Sequence, residues 1–210
     1  GWRYPVHQGR ALMAVAIIDS GGANIASLRC ALTRLGCEAE LTRDAAGIRA
    51  ASHVLLPGVG AAADAMRRLR DAGLDRVIPD LRQPVLGICL GMQLLFDRSE
   101  DGPAECLGII DDRISEMRPG RDRPIPHMGW NRVKVVRDSP LFAAIEDETH
   151  FYFVHSFAAN ACDSTLATSC YGEVFSAAVS RGNFVGTQFH PERSGPAGGR
   201  LLQNFLELGS

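Results

Sequence analysis

Short apolar runs alternate with amphipathic stretches along the first half of the chain. The apolar runs have the length of buried strands in a parallel sheet and occupy residues 14–18, 37–41, 53–56 and 84–88. Helical spacing of apolar residues follows at residues 24–35, where Gly36 should cap the helix, at residues 61–69, and in a helix predicted to begin at residues 91–96. Strand-turn-helix units in series predict an α/β fold, an open doubly wound and mostly parallel sheet with helices on both faces.

Strand signals dominate the second half. They occupy residues 132–136, 150–154, 166–169, 175–179 and 184–189. The last two runs are separated by Ser180-Arg181-Gly182-Asn183, which favours a hairpin, and an amphipathic helix is predicted over residues 200–208. We therefore expect additional antiparallel strands in this half. Residues 13–210 are interpreted as a single domain that starts at Met13, and residues 1–12 as a tag or a disordered extension.

Composition narrows the class of protein. Of the 210 residues, 46% are hydrophobic and 22% charged, with a formal net charge of -2, as expected for a folded globular chain. No charge cluster favours nucleic acid or a membrane surface, and no apolar stretch approaches the roughly 20 residues of a membrane span. Six scattered cysteines without a C-x-x-C pair predict a cytoplasmic protein without a metal. Five of them are expected to be buried or partly buried.

The segment GICLG, residues 87–91, is the strongest local signal. Glycines two residues on either side of Cys89 fit a sharp strand-to-helix elbow that exposes the side chain between them. A helix N-terminus favours a thiolate there, and the Leu90 backbone N–H could stabilise an oxyanion. By itself, this pentapeptide is equally compatible with a nucleophile and with a buried cysteine at a tight turn.

A nucleophile of this kind needs a base and a group that orients the base. His190 follows the strand at residues 184–189, and Glu192 lies two residues further, on the same side of an extended chain. Taken alone, a histidine near a strand end is more often structural. Among the other histidines, surface positions are predicted for His53 and His150, and binding loops for His127 and His155.

Two turns near predicted strand ends could bind a ligand. The LPGVG segment, residues 56–60, offers backbone N–H groups for the second hydrogen bond of an oxyanion hole, or it is an ordinary strand-to-helix turn. The glycine-rich residues 20–24 match neither the dinucleotide-binding nor the P-loop pattern. No cofactor is therefore expected.

Taken together, GICLGMQ (87–93), LPGVG (56–60) and GTQFHPERS (186–194) closely resemble the class I, or triad, glutamine amidotransferases, whose core is flavodoxin-like. Three separated motifs in the same order are much more specific than any one of them. Within that family, Asn24-Ile25, PHMGWN (126–131) and YFVHS (152–156) resemble the glutaminase subunits of imidazole glycerol phosphate synthase. The resemblance runs from about Met13 to the C-terminus.

The resemblance implies a role for each matching residue. Cys89 would attack the glutamine carboxamide and form a thioester, His190 would shuttle the proton, and Glu192 would hold His190. The positions matching the oxyanion hole and the glutamine pocket are Gly58, Val59, Gly60, Leu90, Gln93, His155, Ser156 and Phe157. Phe157 stands where the family more often has Tyr, and Ala23 where many relatives have Gly.

The resemblance also implies a partner, a (β/α)8-barrel cyclase that receives the ammonia and closes the imidazole ring in histidine biosynthesis. The residues matching the docking surface are Asn24, His127, Trp130 and Asn131. Without this partner the glutaminase is expected to be weak, because the turn at Val59 and Gly60 is thought to need rearrangement.

The residues alone leave three alternatives open. The chain could be a triad amidotransferase of another pathway, such as anthranilate, CTP or GMP synthesis, which binds a different synthase. It could be a free-standing cysteine hydrolase of γ-glutamyl compounds, active without a partner. It could also be a binding module that keeps the fold without catalysis, although the complete set of Cys89, His190 and Glu192 speaks against this.

Overall fold

The computed structural model describes residues 14–21 and 25–209. The predictions for residues 1–13, including the start at Met13, and those for Ala23 and Asn24 lie outside the described residues. Within this part of the chain, every helix is too short or too polar to cross a membrane.

Five parallel strands form one side of a nine-stranded sheet. They are β1 (Val15–Ile18), β2 (Ala39–Thr42), β3 (His53–Gly58), β4 (Val85–Cys89) and β13 (Phe184–Thr187). Their spatial order is β2-β1-β3-β4-β13, and each neighbouring pair is parallel. All of these strands except β2 are buried along their whole length, which explains why they occur as continuous apolar runs. The predicted parallel sheet is confirmed.

Antiparallel strands complete the sheet, in the order β12-β11-β8-β9 after β13. They are β8 (His127–Val135), β9 (Thr149–His155), β11 (Thr165–Tyr171) and β12 (Glu173–Arg181). Arg181 pairs with Phe184, so that Gly182 and Asn183 form the turn between β12 and β13. The predicted hairpin and the antiparallel character of the second half are confirmed.

In the described part of the chain, six α-helical segments accompany the strands. They are α1 (Ile25–Arg34), α2 (Ala45–Ala50), α3 (Ala62–Asp71), α4 (Leu74–Val77), α5 (Leu90–Gln93) and α6 (Gly195–Leu206). Gly36 has a φ of 72° and ends α1 as predicted. The sequence did not predict α2, a short helix capped by the Asp44 side chain, which accepts a hydrogen bond from the Gly47 N–H. α6 begins before residue 200 because Pro196 near its start is compatible with a first helical turn.

The helix predicted at residues 91–96 is wrong beyond its first turn. α5 ends at Gln93, and Phe96 opens a strand that pairs with Ile110. Leu94, Leu95 and Phe96 are all fully buried, so this run lacks the periodicity that distinguishes a helix from a strand. The strand belongs to a second sheet of order β10-β7-β5-β6, which the sequence did not predict. Its strands are β5 (Phe96–Ser99), β6 (Ala104–Glu105), β7 (Ile110–Glu116) and β10 (Phe157–Ala159).

The core lies on both faces of the main sheet. Ile17 and Leu55 enter one cluster together with residues of α1 and α6, whereas Ile18 and Leu56 enter a second cluster together with residues of α3. This division follows from the alternation of side chains along a strand. It leaves the carboxyl ends of β3, β4 and β13 at one edge, where Gly58, Cys89 and the residues after Thr187 meet.

The cysteines are less buried than predicted. All six are free thiols, but Cys30 and Cys170 are exposed on the surface. The prediction that five of the six are at least partly buried is therefore wrong. Cys30 lies on a helix whose buried side is formed by Leu28, Ala31 and Leu32, so its side chain lies on the opposite side.

Candidate active site

Cys89 lies at a strained elbow between β4 and α5. Its backbone has a φ of 54° and a ψ of -110°, a conformation that residues other than glycine seldom adopt. A Cβ atom at Gly87 would lie 2.6 Å from the Gly91 carbonyl oxygen, and one at Gly91 would lie 1.6 Å from the Leu56 carbonyl oxygen. The two glycines therefore let the elbow close tightly against itself and against β3. The predicted sharp strand-to-helix elbow is present, but the prediction that it exposes Cys89 is wrong, because the residue is buried.

The Cys89 sulfur is surrounded by protein on the inner side of the elbow. The residue is 7% exposed. Its thiol donates a hydrogen bond to the Val154 carbonyl oxygen at 3.7 Å, and the Gln188 side-chain amide donates one to the sulfur, also at 3.7 Å. The sulfur is thus held between the end of β9 and the segment that follows β13.

His190 and Glu192 form a buried pair. The His190 Nδ1 atom lies 2.8 Å from the Glu192 Oε1 atom, and the two side chains are 6% and 5% exposed. A 3-10 turn over Pro191–Arg193 places the carboxylate beside the ring. Ser194 reinforces this turn, since its hydroxyl donates to the His190 carbonyl oxygen at 2.7 Å. The prediction that Glu192 lies on the same side of the chain as His190 and contacts its ring is confirmed.

His190 also faces Cys89. Since Glu192 occupies Nδ1, only Nε2 is available to the sulfur, and Nε2 makes no well-aligned hydrogen bond to any residue that the structure describes. The contact with Cys89 is therefore looser than an ideal hydrogen bond. Burial lowers the pKa of His190, but the close contact with Cys89, the hydrogen bond with Glu192 and the negative charge of both groups outweigh burial and raise the pKa to about 10. A histidine in this setting favours the imidazolium form.

The LPGVG turn closes over the triad. Gly58 ends β3 directly opposite Cys89 in the parallel register, and Gly60 has a φ of 90°. A cavity of about 10 Å³ lies between this turn, Leu28, Ile88, His190 and Glu192. This is about the space that one water molecule needs. Cys89 does not line this cavity, which shows only that little space is left between the LPGVG turn and the His190–Glu192 pair.

Gln93 and His155 lie behind the cysteine and converge on one carbonyl group. The Phe157 carbonyl oxygen accepts from Gln93 Nε2 at 2.9 Å and from His155 Nδ1 at 2.9 Å. Burial lowers the pKa of His155 to about 3, so its ring is neutral and Nε2 is an acceptor. Ser156, in the bend between β9 and β10, and Phe157, the first residue of β10, are half-buried. The four residues predicted for the glutamine pocket thus lie in one cluster.

His127 departs from its prediction as part of a binding loop. It lies within β8, is 3% exposed and stacks on Tyr171 with ring centroids 4.1 Å apart. Its Nδ1 atom lies 3.0 Å from Nε2 of His155, and burial lowers its pKa to about 4. His155 is likewise buried at the end of β9, so the loop prediction is wrong for both residues.

Two further histidine predictions have different outcomes. His53 is wrongly placed on the surface, because it is 5% exposed and its Nε2 donates to the Leu208 carbonyl oxygen at 2.9 Å. Its ring also meets Phe205 edge to face, with centroids 5.3 Å apart. His150 is exposed on β9, as predicted.

Trp130 and Asn131 lie on β8, the same strand as His127, but they are more exposed than His127. Trp130 is 57% exposed and Met128 63% exposed, so β8 presents two large apolar side chains to solvent. The Asn131 amide donates to the Cys170 carbonyl oxygen at 2.9 Å and lies 3.3 Å from His127 Nε2. This polar contact connects the surface of β8 to the buried histidines.

Sequence reasoning missed Gln188 and Arg193, although both belong to the quoted GTQFHPERS motif. Gln188 is fully buried and contacts the cysteine sulfur. The Arg193 guanidinium lies 4.3 Å above the Tyr152 ring centroid, a cation-π contact beside the triad. A polar residue inside the apolar run at residues 184–189 was the available signal for Gln188, because a buried amide needs specific partners.

The fold and the site together define a class of enzyme in which a cysteine on an elbow faces a histidine-carboxylate pair. Residues 16–208 match the family model "Glutamine amidotransferase class-I". The "Imidazole glycerol phosphate synthase subunit HisH" of Xanthomonas axonopodis pv. citri (strain 306) is 51% identical over 194 residues, which cover 92% of this chain and 97% of the relative. The subunit of the same name from Vibrio cholerae serotype O1 is 49% identical over 200 residues, with coverage of 92% and 98%.

Solved structures agree with the fold. A crystal structure of a glutamine amidotransferase superimposes with a TM-score of 0.72 at 21% identity, covering 93% of this chain and 98% of the other. The structure of PurLQS from Thermotoga maritima does so with a TM-score of 0.70 at 18% identity, covering 94% and 99%. The chain belongs to the class-I glutamine amidotransferases and, within them, to the family of imidazole glycerol phosphate synthase HisH subunits. The predicted resemblance is confirmed.

Proposed function

We propose that this protein hydrolyses L-glutamine to glutamate and ammonia, with Cys89 as nucleophile. The observation that carries the proposal is the constellation at the sheet edge, where a cysteine on a strained elbow faces a histidine held by a carboxylate at 2.8 Å. Both the elbow and the pair are buried and fixed by backbone contacts. Family membership supports the same reaction.

In the first half-reaction, the proton of Cys89 resides on His190, and the thiolate sulfur attacks the side-chain carbonyl carbon of glutamine. Backbone N–H groups of Leu90 and of the turn at Gly58, Val59 and Gly60 would stabilise the oxyanion. The imidazolium then donates its proton to the leaving nitrogen. The C–N bond breaks, ammonia leaves, and a γ-glutamyl thioester remains on the sulfur.

In the second half-reaction, neutral His190 accepts a proton from water, and the resulting hydroxide attacks the thioester carbonyl carbon. The C–S bond breaks, the thiolate is regenerated beside protonated His190, and glutamate is released. Glu192 keeps Nδ1 of the ring protonated and stabilises the imidazolium in both halves. Gln93, His155, Ser156 and Phe157 would line the pocket of the amino-acid substrate.

The ammonia would pass to a (β/α)8-barrel cyclase that makes imidazole glycerol phosphate and AICAR in histidine biosynthesis. The closely related proteins are named as subunits of that synthase, which supports a heterodimer. Exposed Met128 and Trp130 on β8 suit a docking surface, since aromatic and methionine side chains are enriched at interfaces. Asn131 would contact the partner from the same strand. His127 is buried, so it would support this surface from behind.

The burial of Cys89 supports low activity of the isolated chain. Cys89 is 7% exposed, so segments around it, such as the turn at Val59 and Gly60, would have to move before glutamine reaches the sulfur. We infer that the partner favours this movement.

The experiment compares wild type and Cys89→Ala in the complex with the cyclase and its nucleotide substrate. The expected result is loss of glutamine-dependent synthesis in Cys89→Ala with ammonia-dependent synthesis retained, because only the first needs the sulfur. Cys30→Ala is a matched control at an exposed cysteine. Equal loss of both activities would contradict the assignment of glutamine hydrolysis to this chain and of ammonia use to the cyclase. Strong glutaminase activity of the chain alone would favour the free-standing hydrolase.

A further inference from the structure

We propose that Gln188 is a positioning residue for the proposed nucleophile, donating a hydrogen bond that holds and stabilises the Cys89 sulfur as a thiolate. This inference rests on the proposed function and deepens it. Gln188 follows β13 and precedes His190 by two residues, so one short segment delivers both the base and this donor to the elbow. Its backbone N–H is anchored on the Ala177 carbonyl oxygen at 2.9 Å.

A chain of hydrogen bonds determines which end of the Gln188 amide faces the sulfur. The Phe157 carbonyl oxygen can only accept, so Gln93 must present its NH2 group to it. The same Gln93 nitrogen lies 3.0 Å from the Gln188 Oε1 atom and donates its second hydrogen there. Gln188 therefore has its oxygen turned towards Gln93, and its NH2 group is left to face Cys89 at 3.7 Å.

Burial makes this donor effective. Gln188 is fully buried and Gln93 is 4% exposed, so water does not compete for either amide. A hydrogen bond from a neutral donor to a charged acceptor is stronger than one between neutral groups, and it strengthens further in a low-dielectric interior. The Gln188 NH2 group therefore presents a fixed donor to the sulfur, and the imidazole lies on another side. The Val154 carbonyl oxygen accepts a hydrogen bond from the sulfur only while the thiol is protonated.

A purely structural role would leave the sulfur chemistry unchanged when Gln188 is replaced. The test therefore measures the rate at which iodoacetamide alkylates Cys89 in the full-length chain, peptide by peptide with mass spectrometry, from pH 5 to 10. Exposed Cys30 and Cys170 serve as internal references in the same sample. Alkylation requires no glutamine, so its outcome is independent of whether the chain is a glutaminase.

The first variant is Gln188→Met, which keeps the length of the side chain but removes the donor, and Gln203→Met on α6 is the matched control. We expect the pH midpoint of Cys89 alkylation to rise by about one to two pH units in Gln188→Met, as loss of a hydrogen bond to a charged group implies. Gln188→Glu should raise it further, because it adds a negative charge. Cys30, Cys170 and the control should not change.

A wild-type alkylation profile in both folded Gln188 variants would overturn the proposal, even if glutamine turnover were reduced. A measurement on the wild type covers the case in which neither variant folds. The side-chain NH2 resonances of Gln188, observed by NMR, should shift when Cys89 is alkylated, and an unchanged signal would also overturn the proposal. If the alkylation shift is found but Cys89→Ala retains glutamine-dependent synthesis, the positioning role stands and the proposed function fails.

Discussion

Replacement of Gly91 by alanine tests the tight closure of the elbow. The new Cβ atom would lie 1.6 Å from the Leu56 carbonyl oxygen, and real Cβ contacts are not shorter than 3.0 Å. The elbow and β3 would have to separate by more than an ångström. Overpacking of movable side chains costs about 1–3 kcal/mol, and here the atom that must yield is backbone. We therefore expect a loss of about 3 kcal/mol or more in the free energy of unfolding.

Thermal unfolding followed by circular dichroism measures this loss. For a chain of this size, about 3 kcal/mol corresponds to a decrease of about 6–12 °C in Tm. Gly199→Ala is the matched control, because its Cβ atom would meet nothing within 4 Å and alanine stabilises a helix interior by about 0.5–1 kcal/mol. A Tm for Gly91→Ala within about 2 °C of the wild type would refute the steric reasoning.

Three further predictions concern the triad, the buried histidines and the docking surface. In the complex, His190→Ala should lower glutamine-dependent turnover by about 10²–10⁴-fold, and Glu192→Ala by less, since Glu192 orients the base without transferring the proton; an equal loss in both would contradict this. Burial lowers the pKa of His127 to about 4 in the folded state, whereas the unfolded chain has the ordinary value of about 6.5. Protons therefore bind the unfolded chain first, and the free energy of unfolding falls as the pH drops below about 6.5. Urea unfolding measures the free energy of unfolding at pH 7 and at pH 5.5. Its decrease between the two pH values should be about 1 kcal/mol smaller in His127→Gln than in the wild type, and an equal decrease in both would refute this. Trp130→Ala should weaken binding to the cyclase about 30-fold in calorimetric titrations without lowering Tm, whereas unchanged affinity would exclude Trp130 from the interface.

The residues of the triad were predictable because each lies in a local motif. Cys89 is marked by glycines at fixed offsets, and Glu192 by its spacing from His190. The parallel strands were also predictable, since burial on both faces leaves continuous apolar runs. These features depend on neighbours in sequence, so the sequence alone contains the necessary signal.

The missed features depend on contacts between distant residues. Phe96 becomes a strand because it pairs with Ile110, and no pattern in the run Leu94–Phe96 distinguishes this from a longer helix. His127 is buried because Tyr171 and Phe153 stack on it, although its own segment contains exposed residues. The role of Gln188 becomes visible only when the elbow and the end of β13 are brought together.

Detection of a covalent intermediate on Cys89 would show directly that its sulfur is the nucleophile. The complex with the cyclase and its nucleotide substrate would be mixed with radiolabelled glutamine, quenched in acid during turnover, and digested for mass spectrometry. We expect a labelled glutamyl group on the peptide that contains Cys89, and no label in Cys89→Ala. Label on a different residue, or turnover of glutamine without any labelled peptide, would contradict this expectation.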